Sequence, residues 1–146
     1  MRNIKRIFIH CTATSQQTTI ETLQAGFRAR GWENPGYHYV IHPDGSISQL
    51  QPEDKAANGV AGFNSTAIHI AYIGGVVRDE HTGQLTPSDT RTPQQRTAIR
   101  HLLKQLRTRY PLARILGHRD IWGADSPRKW QKMCPCFNAS REYSDI

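Results

Sequence analysis

A chain of 146 residues has room for one compact domain with a core of ordinary size, and it needs no disulfide staples. Its three cysteines, Cys11, Cys134 and Cys136, are odd in number and two of them lie one residue apart, which argues against a disulfide framework and fits synthesis in a reducing compartment. The net charge of +7 attracts polyanions, whether nucleic acid, anionic lipid or acidic wall polymer. Yet the basic residues are dispersed, Arg28, Arg30, Arg78, Arg91, Arg96, Arg100, Arg107 and Arg109 among them, with no heptad or finger pattern beside them. That distribution reads as a solvated basic face, and no nucleic-acid partner is expected. No run approaches the roughly 18 apolar residues of a membrane span, so no transmembrane segment is expected. The apolar patch at residues 7–9 is too short for a signal peptide and lacks a small-residue cleavage site behind it.

In chain order, residues 5–11 alternate and are rich in β-branched and aromatic side chains, which predicts a strand with His10 at its end. Residues 18–21 have the S/T-x-x-E form of a capping box with Thr18 as the cap, and Ile20, Leu23 and Phe27 recur at helical spacing until Gly31. After the break at Asn34-Pro35-Gly36, residues 37–42 and 46–51 flank Pro43-Asp44-Gly45 and predict a hairpin, with Tyr37 opening its first strand. A helical turn is expected at 52–57 and a loop at 59–65. The apolar run 67–73, ended by Gly74-Gly75, predicts a central strand covered on both faces. Residues 78–91 are polar and turn-rich. Thr92 as N-cap with Pro93 behind it opens a long helix, whose stripe is Ile99, Leu102, Leu103, Leu106 and Tyr110 and which Pro111 ends. Residues 113–117 return to a short strand that delivers His118. Strands and helices interleaved in this way predict a single α/β domain over residues 1–146, a central mixed β-sheet flanked by helices.

Five segments in this order carry a resemblance: Ile9-His10-Cys11-Thr12-Ala13-Thr14; Gly36-Tyr37-His38-Tyr39-Val40-Ile41 with Asp44-Gly45 behind it; Ala67-Ile68 running into Gly74-Gly75; Gly117-His118-Arg119-Asp120; and Lys132-Met133-Cys134-Pro135. Together they resemble the zinc-dependent N-acetylmuramoyl-L-alanine amidases of phage lysozyme type, which share a fold with the peptidoglycan recognition proteins. The resemblance implies that His10, His118 and Cys134 are ligands of a zinc ion (Zn2+) and that Tyr37 and Lys132 act on the substrate. Two imidazoles and a thiolate fill three tetrahedral positions and leave the fourth for water, the pattern of a catalytic zinc. Cys136 competes with Cys134 for the ligand role, but the proline after Cys134 matches the family pattern. Cys11 is expected to point away from His10 as a small buried apolar residue. His38, His42, His69, His81 and His101 read as hydrogen-bonded core or surface residues, with His38 on the opposite strand face from Tyr37.

By the same resemblance the reaction is hydrolysis of the amide between N-acetylmuramic acid and L-alanine in peptidoglycan or muropeptides. Lys132 is assigned to the developing oxyanion, while Tyr37 either polarises the carbonyl or orients the water. Thr12, Thr14, Asn64 and Ser65 stand near the ligands and offer hydrogen bonds to substrate, or simply serve turns. Two departures from the family stand out. The insertion at residues 121–131 is long, and its Trp122 and Trp130 either line a groove or pin the loop. The loop around Gly59-Val60-Ala61 lacks the histidine that many relatives carry near the substrate, so any auxiliary role of that residue is absent or moved. Two other functions compete, a peptidoglycan-binding module without activity and a basic zinc protein of nucleic acids; the retained Cys134 speaks against the first and the absence of a paired C-x2-C knuckle against the second. A monomer is expected, made in the cytoplasm and acting on the cell wall after release or on cytoplasmic muropeptides.

Overall fold

Two six-residue strands with no solvated face organise the molecule, of which a computed structural model describes residues 2–146. β1 (Arg6–Cys11) and β4 (Ala67–Tyr72) pair in parallel, and apart from Arg6 every residue in them is buried. Such near-continuous apolar runs are what a doubly covered parallel strand requires. β2 (Tyr39–Ile41) lies parallel on the far side of β4, and β3 (Ile47–Gln49) closes that edge antiparallel to β2. β7 (Arg114–Gly117) lies parallel outside β1. The resulting order β3-β2-β4-β1-β7 is the expected mixed sheet, with the 67–73 run at its centre.

Side-chain alternation then sorts the two layers. Ile7 and Ile9 of β1, Ile68, Ile70 and Tyr72 of β4, and Tyr39 and Ile41 of β2 share one core with Ile99, Leu102, Leu103 and Leu106 of α2 (Pro93–Arg109) and with Ala139 of α3 (Ala139–Glu142). Phe8 packs with Val60 and Ala67 in a second core, and Val40 packs with Leu23 of α1 (Ile20–Ala29) in a third. The helix ends follow from their capping residues. Thr92 accepts from the Gln95 N–H at 3.0 Å and its own N–H donates to Gln95 Oε1 at 2.9 Å, a reciprocal pair that fixes the start of α2.

Four expectations change. α1 is capped by Thr19, which accepts from Thr22 N–H, because the Thr18 N–H already closes a turn onto the Ser15 carbonyl; Glu21 therefore sits too early for a capping box. The 37–51 hairpin forms with shorter strands around Gly45, whose φ of +89° suits a turn. Residues 52–57 make a single turn, Lys55 N–H to Pro52 carbonyl, and no helix: Gln51 Nε2 bonds the Ala56 carbonyl and Asn58 N–H the Pro35 carbonyl, tying this stretch to its neighbours. The polar segment before α2 contains a separate two-stranded ribbon, β5 (Val76–Arg78) with β6 (Leu85–Pro87), antiparallel and largely exposed.

Candidate metal-binding and catalytic site

Three segments far apart in sequence meet at one end of the sheet. His10 stands one residue before the end of β1, and His118 follows the last residue of β7 directly, opening a 3-10 turn over His118–Trp122. The turn is held by its own sequence: Asp120 Oδ2 accepts from Gly117 N–H at 2.8 Å, and Arg119 N–H donates to the Cys134 carbonyl at 3.0 Å. Gly117 must lack a side chain, since a Cβ there would fall 2.8 Å from Pro135 Cδ. The segment carrying Cys134 is therefore pinned; the buried Tyr72 hydroxyl also donates to the Pro135 carbonyl at 2.7 Å.

Ligand-type atoms of His10, His118 and Cys134 all lie within 4.8 Å of one another, the one such group found among the described residues. His10 Nδ1 is 3.2 Å from His118 Nδ1 and 3.7 Å from Cys134 Sγ. Cys134 Sγ accepts the Cys11 N–H at 3.3 Å. Cys136 turns elsewhere, its thiol 3.5 Å from the Gly75 carbonyl and 4.0 Å from Cys11 Sγ. Cys11 is buried as expected, and its thiol pKa is pushed up to about 12, first by the hydrogen bond with Cys134.

Burial decides the charge state of the imidazoles. His10 is held well below its ordinary pKa by desolvation, then by His69, His118 and the Lys132 cation; His118 is pushed down to about 4 by burial and Lys132. Both are therefore neutral at pH 7, as metal ligation requires. The Tyr37 ring lies 5.3 Å from that of His10, and its phenol pKa is raised by burial and by the nearby thiols Cys134 and Cys11, so it remains a proton donor.

A cleft of about 770 Å³ opens over the cluster, and Tyr37, Lys132, Arg30, Trp122 and Asn64 are among its lining residues. A shallower depression of about 540 Å³ between the hairpin and α2 shares none of those residues, so chemistry and not concavity singles out the cleft. The two tryptophans of the insertion divide the roles open to them. Trp122 stacks on His118 with ring centroids 5.5 Å apart and lines the cleft, whereas Trp130 pins the loop through Nε1 donating to the Gly123 carbonyl and through the Arg119 guanidinium over its ring. Thr12 and Thr14 line the cleft but bond each other at 2.7 Å, and Thr12 also accepts the Gly74 N–H; Ser65 is not among the lining residues.

Tyr37 and His38 do not take opposite faces. Residue 37 precedes β2, so alternation does not govern it; Tyr37 reaches His10, and His38 stacks on His69 with 5.9 Å between centroids. His69 is buried and hydrogen-bonded, as expected of a core histidine, but its Nδ1 lies 2.9 Å from His10 Nε2. Its ring fills the space above Gly59, in the loop that lacks a histidine of its own. Nothing in the strand-like run 67–73 singles out this contact, which depends on β1 and β4 lying side by side.

The mixed sheet and the donor cluster at the mouth of a cleft define the class, an α/β domain with a metal-type site. Within that class the chain belongs to the N-acetylmuramoyl-L-alanine amidase family, whose profile matches residues 1–136. It is 30% identical over 138 residues to an endolysin of Enterobacteria phage K11, a match covering 93% of this chain and 83% of that protein. Among solved structures, the N-acetylmuramoyl-L-alanine amidase LysC from Clostridium intestinale superposes with a TM-score of 0.74 at 26% identity, over 97% of this chain and 83% of that one. Drosophila PGRP-LB shares the fold, with a TM-score of 0.70 at 19% identity over 100% and 81% of the two chains.

Proposed function

We propose that this chain is a zinc-dependent N-acetylmuramoyl-L-alanine amidase acting on peptidoglycan or muropeptides as a single-domain monomer, with His10 Nδ1, His118 Nδ1 and Cys134 Sγ as the zinc ligands. The observation that carries the reading is the convergence of those three atoms. Tetrahedral zinc, with bonds of about 2.0–2.1 Å to nitrogen and about 2.3 Å to sulfur, sets its ligand atoms roughly 3.3–3.6 Å apart. The separations of 3.2 Å and 3.7 Å suit it. The donor set suits it as well, since imidazole with thiolate favours zinc over hard cations. Zinc bound there supplies a Lewis acid and a water acidified toward neutrality.

The remaining chemistry falls to the protein. Lys132 reaches the cleft from the segment before Cys134, and its ammonium donates to the scissile carbonyl oxygen as negative charge builds on it. Tyr37, protonated beside His10, offers a second donor to that carbonyl or orients the attacking water. Arg30 and Lys132 give the cleft a positive lining that suits acidic stem peptides. The reading extends to an endolysin-like role, with the enzyme reaching the wall after release from the cytoplasm; a muropeptide-processing role in the cytoplasm uses the same site.

The test is product analysis on purified sacculi. The reading predicts new N-terminal L-alanine without new reducing sugar ends, abolished by a chelator and restored by zinc. Binding to sacculi with no release in the presence of zinc would make the chain a recognition module and contradict it.

A further inference from the structure

We propose that His69 is a positioning residue that fixes the tautomer of His10, through a hydrogen-bond relay running from the Val60 backbone through the Asn64 side chain. The inference rests on the ligand reading above, and the relay can be read from the donors. A backbone N–H can only donate, so the Asn64 side-chain atom 2.8 Å from Val60 N is the carbonyl oxygen. That same Oδ1 lies 2.9 Å from His69 Nε2, which must therefore carry a proton. His69 is fully buried, and neither hydrogen-bond partner of its ring nitrogens, Asn64 or His10, is an anion, so it stays a neutral imidazole whose Nδ1 is an acceptor. His10 Nε2, 2.9 Å from this Nδ1, then donates to it. With its proton committed to Nε2, His10 presents the Nδ1 lone pair to His118 and Cys134. Partners of this kind orient a ligating imidazole and fix its tautomer.

The ring of His69 has no freedom to do otherwise. Phe8 stacks on it at 5.6 Å and 10°, and His38 stacks at 5.9 Å and 11°. The His69 N–H donates to His38 Nδ1 at 3.0 Å, and Asn64 itself begins the 3-10 turn that leads into β4. Gly59 borders the ring edge so closely that a Cβ there would fall 2.2 Å from Nδ1, the atom that receives the His10 proton. The imidazole behind the first ligand thus comes from β4, and the glycine on the facing loop makes room for it.

Two measurements test the relay. In zinc-free wild type, long-range proton–nitrogen NMR correlations should show His10 as the Nε2–H tautomer; an Nδ1–H tautomer overturns the proposal, whether or not the protein binds zinc. In chelator competition, His69→Leu and Gly59→Ala should weaken zinc binding by about 10–100-fold, while His69→Asn, whose Oδ1 replaces the lost acceptor, should stay within about threefold of wild type. Zinc binding by His69→Leu as tight as that of wild type overturns the relay and leaves the ligand assignment standing. Failure of the wild type itself to take up zinc overturns both. The NMR measurement uses the unaltered protein, so misfolding of a variant cannot shield the proposal.

Discussion

At the scale of residues, the site sets imidazoles kept neutral by burial beside the Lys132 side chain. Lys132 adds to the burial that depresses the pKa values of His10 and His118, and it lines the open cleft, where the proposed reaction sets it against the developing anion. Lys132→Ala should therefore retain zinc while kcat/KM on sacculi falls by about 10²–10³; unchanged kcat/KM, or loss of the metal, would remove Lys132 from its role. The sequence makes part of this legible. His10 and His118 each follow a strand-like run, and Cys134 carries the proline that marks it. Cys136 drops out only once its thiol is seen turned toward Gly75, and His69 stays hidden because its meaning lies in Asn64 and His10, five and 59 positions away.

At the scale of elements, the parallel core of β1, β4 and β7 sets where the proposed histidine ligands emerge, and α2 holds that core from behind. Leu103 is fully buried against the sheet, and Leu103→Ala should cost about 2–5 kcal/mol in denaturant unfolding; a loss under about 1 kcal/mol would show that the α2 contact is not what secures the sheet. Both α2 and the central strand were legible because amphipathic spacing and a long apolar run are strong signals. The β5–β6 ribbon was not: it buries almost nothing, so its residues show no alternation to read. The 52–57 turn failed for the opposite reason, since side-chain bonds from Gln51 and Asn58, not local propensity, determine its path.

At the scale of the whole molecule, one face of the sheet concentrates His10, His38 and His69 beside His118, all with pKa values lowered first by burial. For His38 and His118 the folded value is about 4 against an ordinary 6.5, so the unfolded chain binds more protons between those limits. Stability of the zinc-free protein should be full above pH 6.5 and fall as the pH drops toward 4. A denaturation midpoint that is flat or rises from pH 7 to pH 5 would contradict this. The net charge of +7 adds a long-range attraction to anionic wall polymers that salt should weaken. The proposed activity, however, requires that β1, β7 and the pinned 134–136 segment together grip one metal ion. The most direct measurement is zinc content, after removal and re-addition of the metal, in wild type and in Cys134→Ser, paired with release of stem peptides from sacculi. Stoichiometric zinc and activity in wild type, both lost in a folded Cys134→Ser, is the predicted result; a variant that keeps its zinc and its activity would contradict the account.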